Sequence, residues 1–287
     1  RDSSTSRGLG DVYKRQVLTL LPTTVLAADG PMDTIPKYDV SIDVYNRTSD
    51  ISIKDSRSYY IYSSVPDKLR DTWAWDKKIF IQGDKAAPHV FIDGVNIKMS
   101  PSSKGPAIEL NKKASAYLYF IGKDSTLQGA DGRAAIQKNR SEGQLYVLAR
   151  TGTTVTCKGG YRAAGIGGSW AIRNIGDPMF NMDMYGHGVN MHFGSQSNPD
   201  YWGGTINATG GEYGAGIGAG SWGHSGYSGN TIHGGAGERL YFYSGTVNAR
   251  GGRLAAGIGG EYAANKLLSA EQVAGCFDGL QLVLLVG

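Results

Sequence analysis

The chain has no long hydrophobic run, no basic cluster and no sustained helical period. A membrane-spanning helix needs about 20 consecutive apolar residues, and no stretch qualifies, so we expect no membrane insertion. Lysine and arginine do not cluster and the net charge is only +4, which argues against nucleic acid as a partner. The lack of a 3.6-residue period between residues 29 and 262 argues against a helical fold.

Cysteine is scarce, and the motifs of common enzyme classes are absent. Cys157 and Cys276 show neither metal-binding nor redox spacing. Cys157 aligns with Ala208 and Ala249 in repeats described below, which predicts a small buried residue with a free thiol. No nucleophile elbow, P-loop, zincin helix or dinucleotide-binding turn occurs. The glycine-rich segments lack the aspartate of calcium-binding nonapeptides, so we predict no metal and no other cofactor.

The two ends of the chain differ from its middle. Residues 1–16 resemble translated sequencing-adapter read-through, and residues 17–28 read as the end of a secretory signal peptide, with a short buried strand as the alternative. We therefore expect an exported protein, secreted or held at the cell surface. Residues 29–76 are expected to form an N-terminal β cap, and residues 263–287 an irregular or truncated tail.

A glycine-rich segment occurs three times, each time around one isoleucine. The copies are GGYRAAGIGGSW from Gly159, GGEYGAGIGAGSW from Gly210 and GGRLAAGIGGEY from Gly251. Two weaker copies precede them, and the spacing fits a unit of about 30 residues with insertions at 169–203 and 221–239. The five isoleucine anchors are Ile108, Ile136, Ile166, Ile217 and Ile258.

Short strands, tight turns and this repeat predict a parallel β-solenoid over residues 77–262. Segments such as KKIFIQG, AYLYFIG and QLYVLA are β-branched or aromatic and are bounded by turn residues, which is typical of strands. The anchors then point inward and stack from coil to coil, while the glycines permit sharp corners. A flexible glycine-rich linker is the alternative, and the phased apolar residues argue against it.

The repeat T-[VI]-x-[AC]-x-G-G-x-x-[AG]-A-G-I-G-[GA] resembles repeats of large exported surface proteins of Gram-positive gut bacteria. The segments FIDGVNI…PAIEL and LYVLARTGTTVTCKGG resemble parallel β-helix coils of the same proteins. The resemblance covers residues 77–262 and implies an all-β fold, a right-handed parallel β-helix with an N-terminal β cap, within a longer surface protein. It says little about activity, because β-helices carry lyases, glycosidases, carbohydrate-binding modules and adhesins.

Aromatic residues around the repeats indicate a possible ligand. An alignment on the GIG core puts Trp170, Trp222 and Tyr262 at one coil position. A row of flat rings suits the apolar faces of sugars, although the same rings could instead pack under the insertions. The predicted glycan-binding residues are Trp170, Trp222, Tyr262, Tyr201, Trp202, Tyr213, Arg162 and Glu212.

The sequence thus predicts a non-catalytic module that binds a polysaccharide or a host or bacterial glycan, with no catalytic residue assigned. A polysaccharide lyase or glycoside hydrolase is one alternative, because acids on different coils can meet, and a structural spacer is another. The candidate acids are Asp124, Asp131, Asp177, Asp183, Glu212 and Glu238, with Arg133, Arg162 and Arg239 as basic partners. The histidines His187, His192, His224 and His233 are expected to be solvated or hydrogen-bonded residues of the insertions.

Overall fold

The fold consists almost wholly of β-strands. The structure, a computed structural model, describes residues 37–100, 105–111, 113–138, 142–174, 186–225, 232–253, 255–260 and 280–285. A 3-10 helix, Asp67–Leu69, is the one helix in these ranges. None of the described helical structure is long and apolar enough to cross a membrane. The predicted adapter segment and signal remnant, residues 1–28, lie outside the described residues.

Four sheets contain the described strands, which are numbered in chain order. Sheet A contains β1 (Val40–Asp43), β3 (Ser58–Tyr62), β5 (His89–Asp93), β8 (Ala116–Ile121), β11 (Leu145–Ala149), β15 (Gly188–Phe193) and β20 (Gly237–Phe242). Sheet B contains β2 (Ile51–Ile53), β4 (Ile79–Ile81), β7 (Ile108–Leu110), β10 (Ile136–Lys138), β13 (Ile166–Gly167), β17 (Ile217–Gly218) and β22 (Ile258–Gly259). Sheet C contains β6 (Asn96–Lys98), β9 (Ser125–Gln128), β12 (Thr154–Lys158), β16 (Thr205–Thr209), β21 (Gly245–Arg250) and β23 (Leu280–Leu285). Sheet D contains β14 (Ala171–Asn174), β18 (Ser221–Ser225) and β19 (Ile232–Gly234).

The chain visits the three large sheets in rotation. From β5 to β22 it passes from sheet A to sheet C to sheet B and back to sheet A, with the short strands of sheet D inserted after β13 and β17. Neighbouring strands within sheets A, B and C pair in parallel. One rotation is one coil, so this all-β, parallel arrangement is compatible with a β-solenoid.

The predicted stack of isoleucine anchors is confirmed in sheet B. All five anchors pair in register from β7 to β22. The first four are fully buried and Ile258 is 9% exposed. The same column continues to Ile79 and Ile51 at the N-terminal side. Identical apolar side chains therefore lie on one another through seven coils of sheet B, and this column forms one wall of the core.

Strand alternation places the remaining core residues. In β12, Val155 and Cys157 are buried, whereas the residues between and beside them face outward. Cys157 pairs with Ala208, which pairs with Ala249, so the sequence alignment at this column is confirmed. Cys157 is a free thiol, as predicted. Complete burial raises its pKa, so the reactive thiolate form is disfavoured.

Both ends of the described chain join the same sheets. The strands β1, β2 and β3 pair in parallel within sheets A and B. On the sheet C side, this early part of the chain contributes one isolated bridge, from Trp75 to Ile97. Within the segment expected to be an irregular or truncated tail, β23 pairs in parallel with β21 and extends sheet C.

Candidate functional site

The outer face of sheet A carries a ladder of stacked rings. We call His89, Tyr117, Tyr146, His192 and Tyr241 the ring ladder, and they occupy one register column on successive strands. Neighbouring ring centroids are 4.6, 4.4, 4.4 and 4.7 Å apart, with planes within 16° of parallel. This spacing follows from the strand separation, which brings equivalent side chains of a parallel sheet into direct contact.

The ring ladder stabilises the coil stack and is poorly suited to stacking on sugars. Each internal ring has a neighbour on both faces, so neither face is free for a ligand. Aromatic pairs of this kind are worth about 0.5–1.5 kcal/mol each beyond the area that they bury. The ring ladder has a signal in the sequence, which is an aromatic or histidine residue next to the apolar residues of a strand. His89, Tyr117 and Tyr146 are examples, and each lies at a partly exposed position beside buried residues.

The two ladder histidines are hydrogen-bonded, and their burial favours the neutral form. His192 Nε2 lies 2.9 Å from Gln144 Oε1, and His192 Nδ1 lies 3.0 Å from the Tyr243 hydroxyl. Because the amide oxygen only accepts, Nε2 donates and Nδ1 accepts. Burial lowers the pKa of His192 to about 4 and also lowers the pKa of His89. The sequence predicts His192 in an insertion, but the structure places it in β15 of sheet A.

We expect replacement of His192 by tyrosine to reduce the loss of stability in acid. The unfolded side chain has a pKa near 6.5 and the folded one near 4, so the unfolded state takes up a proton first as the pH falls. The free energy of unfolding should therefore drop by about 3 kcal/mol between roughly pH 6.5 and pH 4 on account of His192 alone. Tyrosine stands in the same column at Tyr146 and Tyr241, so His192→Tyr keeps a stackable ring. Urea unfolding of both proteins at pH 7 and pH 4.5 tests this, and equal losses would contradict it.

Tyr201 and Trp202 lie over the second outward row of sheet A. They are only 8% and 6% exposed, and the Trp202 ring lies 5.1 Å from the Tyr119 ring. The loop that carries them is fixed by the Thr151 amide, which donates to the Tyr201 carbonyl oxygen at 2.9 Å. These two predicted glycan-binding residues therefore pack their rings against the outer face of sheet A.

Four other predicted residues meet at the turn between sheets C and B. We call this group, with its two closest partners, the corner cluster: Tyr161, Arg162, Trp170, Glu212, Tyr213 and Arg253. Arg162 and Tyr213 occupy equivalent turn positions with φ of 61° and 64°. The preceding coil has Gly132 there, with φ of 74°. A side chain at Gly132 would place its first carbon 3.2 Å from Trp170 Cε3, so this glycine leaves space for the indole ring.

Cations and rings alternate in the corner cluster. The Arg162 guanidinium carbon lies 4.9 Å from the Tyr161 ring centre, 5.2 Å from the Trp170 ring and 5.7 Å from the Tyr213 ring. Arg253 lies 5.1 Å from the Tyr213 ring and donates to its hydroxyl. It also pairs with Glu212 at 2.9 Å. Cation–π contacts at such distances are worth about 0.5–1 kcal/mol at exposed sites.

Two donors of the corner cluster lack an acceptor within the described residues. They are Arg162 Nε and Trp170 Nε1, both of which are buried. A buried donor without an acceptor costs about 1–3 kcal/mol. Tyr161, at the edge of the cluster, is 42% exposed and offers a ring at the surface.

The structure corrects the alignment of Trp170 with Trp222. The register of sheet D pairs Trp222 with Ala171, so Trp170 is equivalent to Ser221. The second copy, GIGAGSW, contains one more residue than GIGGSW before its tryptophan, which explains the error. Tyr262, the third member of the predicted platform, lies outside the described residues.

Two of the candidate acids have structural partners. Asp124 Oδ1 accepts from the Thr154 amide at 2.7 Å, and Glu212 pairs with Arg253. Asp177 and Asp183 lie outside the described residues. Among the described residues, no group of three or more histidine, cysteine, aspartate or glutamate side chains is arranged to hold a metal ion.

Comparisons with known proteins add no relative to this description. The chain matches no protein-family model, no curated protein and no solved structure.

Proposed function

We propose that the chain is an exported, non-catalytic glycan-binding module of a bacterial surface protein, and that it binds through the corner cluster. The observation that carries the proposal is the meeting of Arg162, Trp170, Glu212 and Tyr213 with the exposed ring of Tyr161, where equivalent turns of two neighbouring coils lie side by side. Rings supply apolar faces for sugar C–H groups, while arginine and glutamate supply donors and acceptors for hydroxyls.

The proposed architecture is a right-handed parallel β-helix with an N-terminal β cap. Parallel strands joined through other elements are right-handed in about 98% of cases, which supports the handedness. Support for the cap comes from the early chain, which supplies strands to sheets A and B but only the Trp75 bridge on the sheet C side. The apolar segment at residues 17–28 and the resemblance of the repeats support export and a surface location.

We expect Tyr161→Ala to weaken oligosaccharide binding about tenfold or less, since one ring stacked on a sugar contributes on the order of 1 kcal/mol. Tyr241 is a matched control, because it is 44% exposed but lies on the ring ladder away from the corner cluster. Calorimetric titration of the wild type and both variants with a panel of neutral and acidic oligosaccharides provides the measurement.

Tyr241→Ala should retain wild-type affinity, while thermal melting checks that both variants are folded. Equal weakening by the two substitutions would remove the support for the corner cluster. Failure of every oligosaccharide to bind the wild type would overturn glycan binding itself, and the appearance of new reducing ends or unsaturated products would favour the enzyme alternative.

A further inference from the structure

Exposed cations form a regular column on the outer face of sheet C. The basic column comprises Lys98, Gln128, Lys158, Thr209 and Arg250, which pair in register on five successive strands. Its three cationic side chains are all exposed. None of the three forms an ion pair with a residue that the structure describes. Their charges are therefore available to a ligand.

The cations stand on every second strand. Neighbouring strands lie about 4.8 Å apart, so Lys98, Lys158 and Arg250 follow one another at intervals of about 9.6 Å. Two linked pyranose rings in an extended chain span a similar length. A linear polysaccharide that runs across the coils and carries one anionic group per disaccharide would thus meet one cation at each repeat.

The column beside the cations is polar and uncharged. It comprises Asn96, Thr126, Thr156, Asn207 and Asn248, again in register. Asn248 Nδ2 donates to Asn207 Oδ1 at 2.8 Å, so the amides are already held in a row. Amides and hydroxyls both donate and accept, which suits sugar hydroxyl groups. These two columns contain no carboxylate that would repel an anion.

The basic column also runs into the corner cluster. Two glycines separate Lys158 from Tyr161, and the Gly159 amide donates to the Thr209 carbonyl oxygen at 2.9 Å, which ties the two coils together at this point. A chain lying along the column could therefore place a sugar ring against Tyr161 and Arg162 without leaving the surface.

We propose that the outer face of sheet C binds a linear acidic polysaccharide across the coils, with its anionic groups at Lys98, Lys158 and Arg250. This inference rests on the proposed glycan-binding function and names its ligand class. Single-stranded nucleic acid fits less well, because it is bound by stacking of bases on aromatic rings and neither column contains one. Carboxylate and sulfate would use the same cations, so the probes must distinguish them.

The test uses three octasaccharides and the full chain. Hyaluronan carries one carboxylate per disaccharide, carboxyl-reduced hyaluronan is its neutral counterpart, and keratan sulfate carries sulfate without carboxylate. We expect hyaluronan or keratan sulfate to bind at least tenfold more tightly than the neutral probe, with the preference falling as salt is added. Whichever anionic probe binds more tightly identifies the charged group.

Variants then locate the site. Lys158→Ala should weaken binding of the anionic probe about fivefold, as for one exposed charge pair, and Lys158→Arg should restore most of the affinity. Lys54→Ala is the matched control, because Lys54 is equally exposed but lies outside both columns. Replacing Lys98, Lys158 and Arg250 together by alanine should weaken binding about fiftyfold or more while leaving the neutral probe unaffected.

Several outcomes would overturn the inference. Equal affinity for neutral and anionic probes would do so and leave glycan binding standing, whereas failure of all saccharides would remove the proposed function as well. Equal effects of Lys54→Ala and Lys158→Ala would show that net charge, and not the basic column, attracts the ligand. Tighter binding of oligothymidylate than of either anionic octasaccharide would point to nucleic acid instead.

Discussion

Replacement of Ile217 by aspartate is expected to leave no cooperatively folded state. Ile217 is fully buried between Ile166 and Ile258 in the sheet B stack and belongs to the hydrophobic core. An isolated carboxylate is not tolerated in such a place, and its protonated form still buries an unpaired polar group and loses the packing of the isoleucine. The combined cost is comparable to the 5–15 kcal/mol by which ordinary domains are stable. Far-UV circular dichroism and urea unfolding of the purified variant should show loss of the cooperative transition.

Ile217→Val is the matched control for this experiment. It keeps the shape and apolarity of the stack and removes one methylene, so we expect a loss of about 1 kcal/mol and an intact transition. A soluble Ile217→Asp variant with a wild-type unfolding curve would contradict the inward stack of anchors.

Replacement of Gly218 by alanine should cost about 3 kcal/mol or more in the free energy of unfolding. Gly218 has φ of +127°, and an added Cβ would lie 2.1 Å from the carbonyl oxygen of Gly259 on the next coil. The clash is with backbone, so only a shift of the coils can relieve it. Thermal and urea unfolding of the variant measure the effect.

Gly152→Ala separates the two causes of this loss. Gly152 also has a positive φ, of +84°, but no atom lies within 4 Å of the position that its Cβ would occupy. Its replacement should therefore cost only the conformational term of about 1–2 kcal/mol. If the two variants lose the same stability, the close approach of coils at the GIG repeats is not what selects glycine there.

The interior of the parallel β-fold was predictable from the sequence because its signal is repeated. Inward isoleucines, valines and small residues recur at equivalent places, and Val155, Ile206 and Val247 align as readily as the anchors do. Each column repeats one physical requirement, which is an apolar side chain of fixed size. Residue type and spacing are therefore enough to predict which strand residues are neighbours in adjacent coils.

The outer faces were less predictable because their residues differ from coil to coil. Trp170 and Trp222 share a motif but not a register position. The second copy has one more residue between its anchor isoleucine and its tryptophan. The basic column contains lysine, glutamine, threonine and arginine, so no single residue type recurs at this position in the repeats. Its cations are also far apart in the chain, and only the coil register makes them neighbours.

The packing of Tyr201 and Trp202 had no sequence signal at all. Both precede the second glycine repeat and could equally have marked the edge of a platform. The loop turns back over sheet A because a second apolar surface exists there, formed by outward residues such as Phe91, Tyr119 and Leu148. Strand alternation alone predicts that outward residues face solvent. In sheet A, however, the loop with Tyr201 and Trp202 covers part of the outer face.

The columns that align the coils are independent of the length of chain between them. Ile136 and Ile166 are neighbours in the stack, and so are Ile166 and Ile217, although the second pair encloses a much longer segment. Unequal recombination between the similar repeats that begin at Gly159 and Gly210 would remove or add one whole coil and leave the pairing on either side intact. A chain of this kind can therefore change its reach in steps of one coil. The spacing of the cations on sheet C would change with it, because the exchanged coil places Thr209 between Lys158 and Arg250.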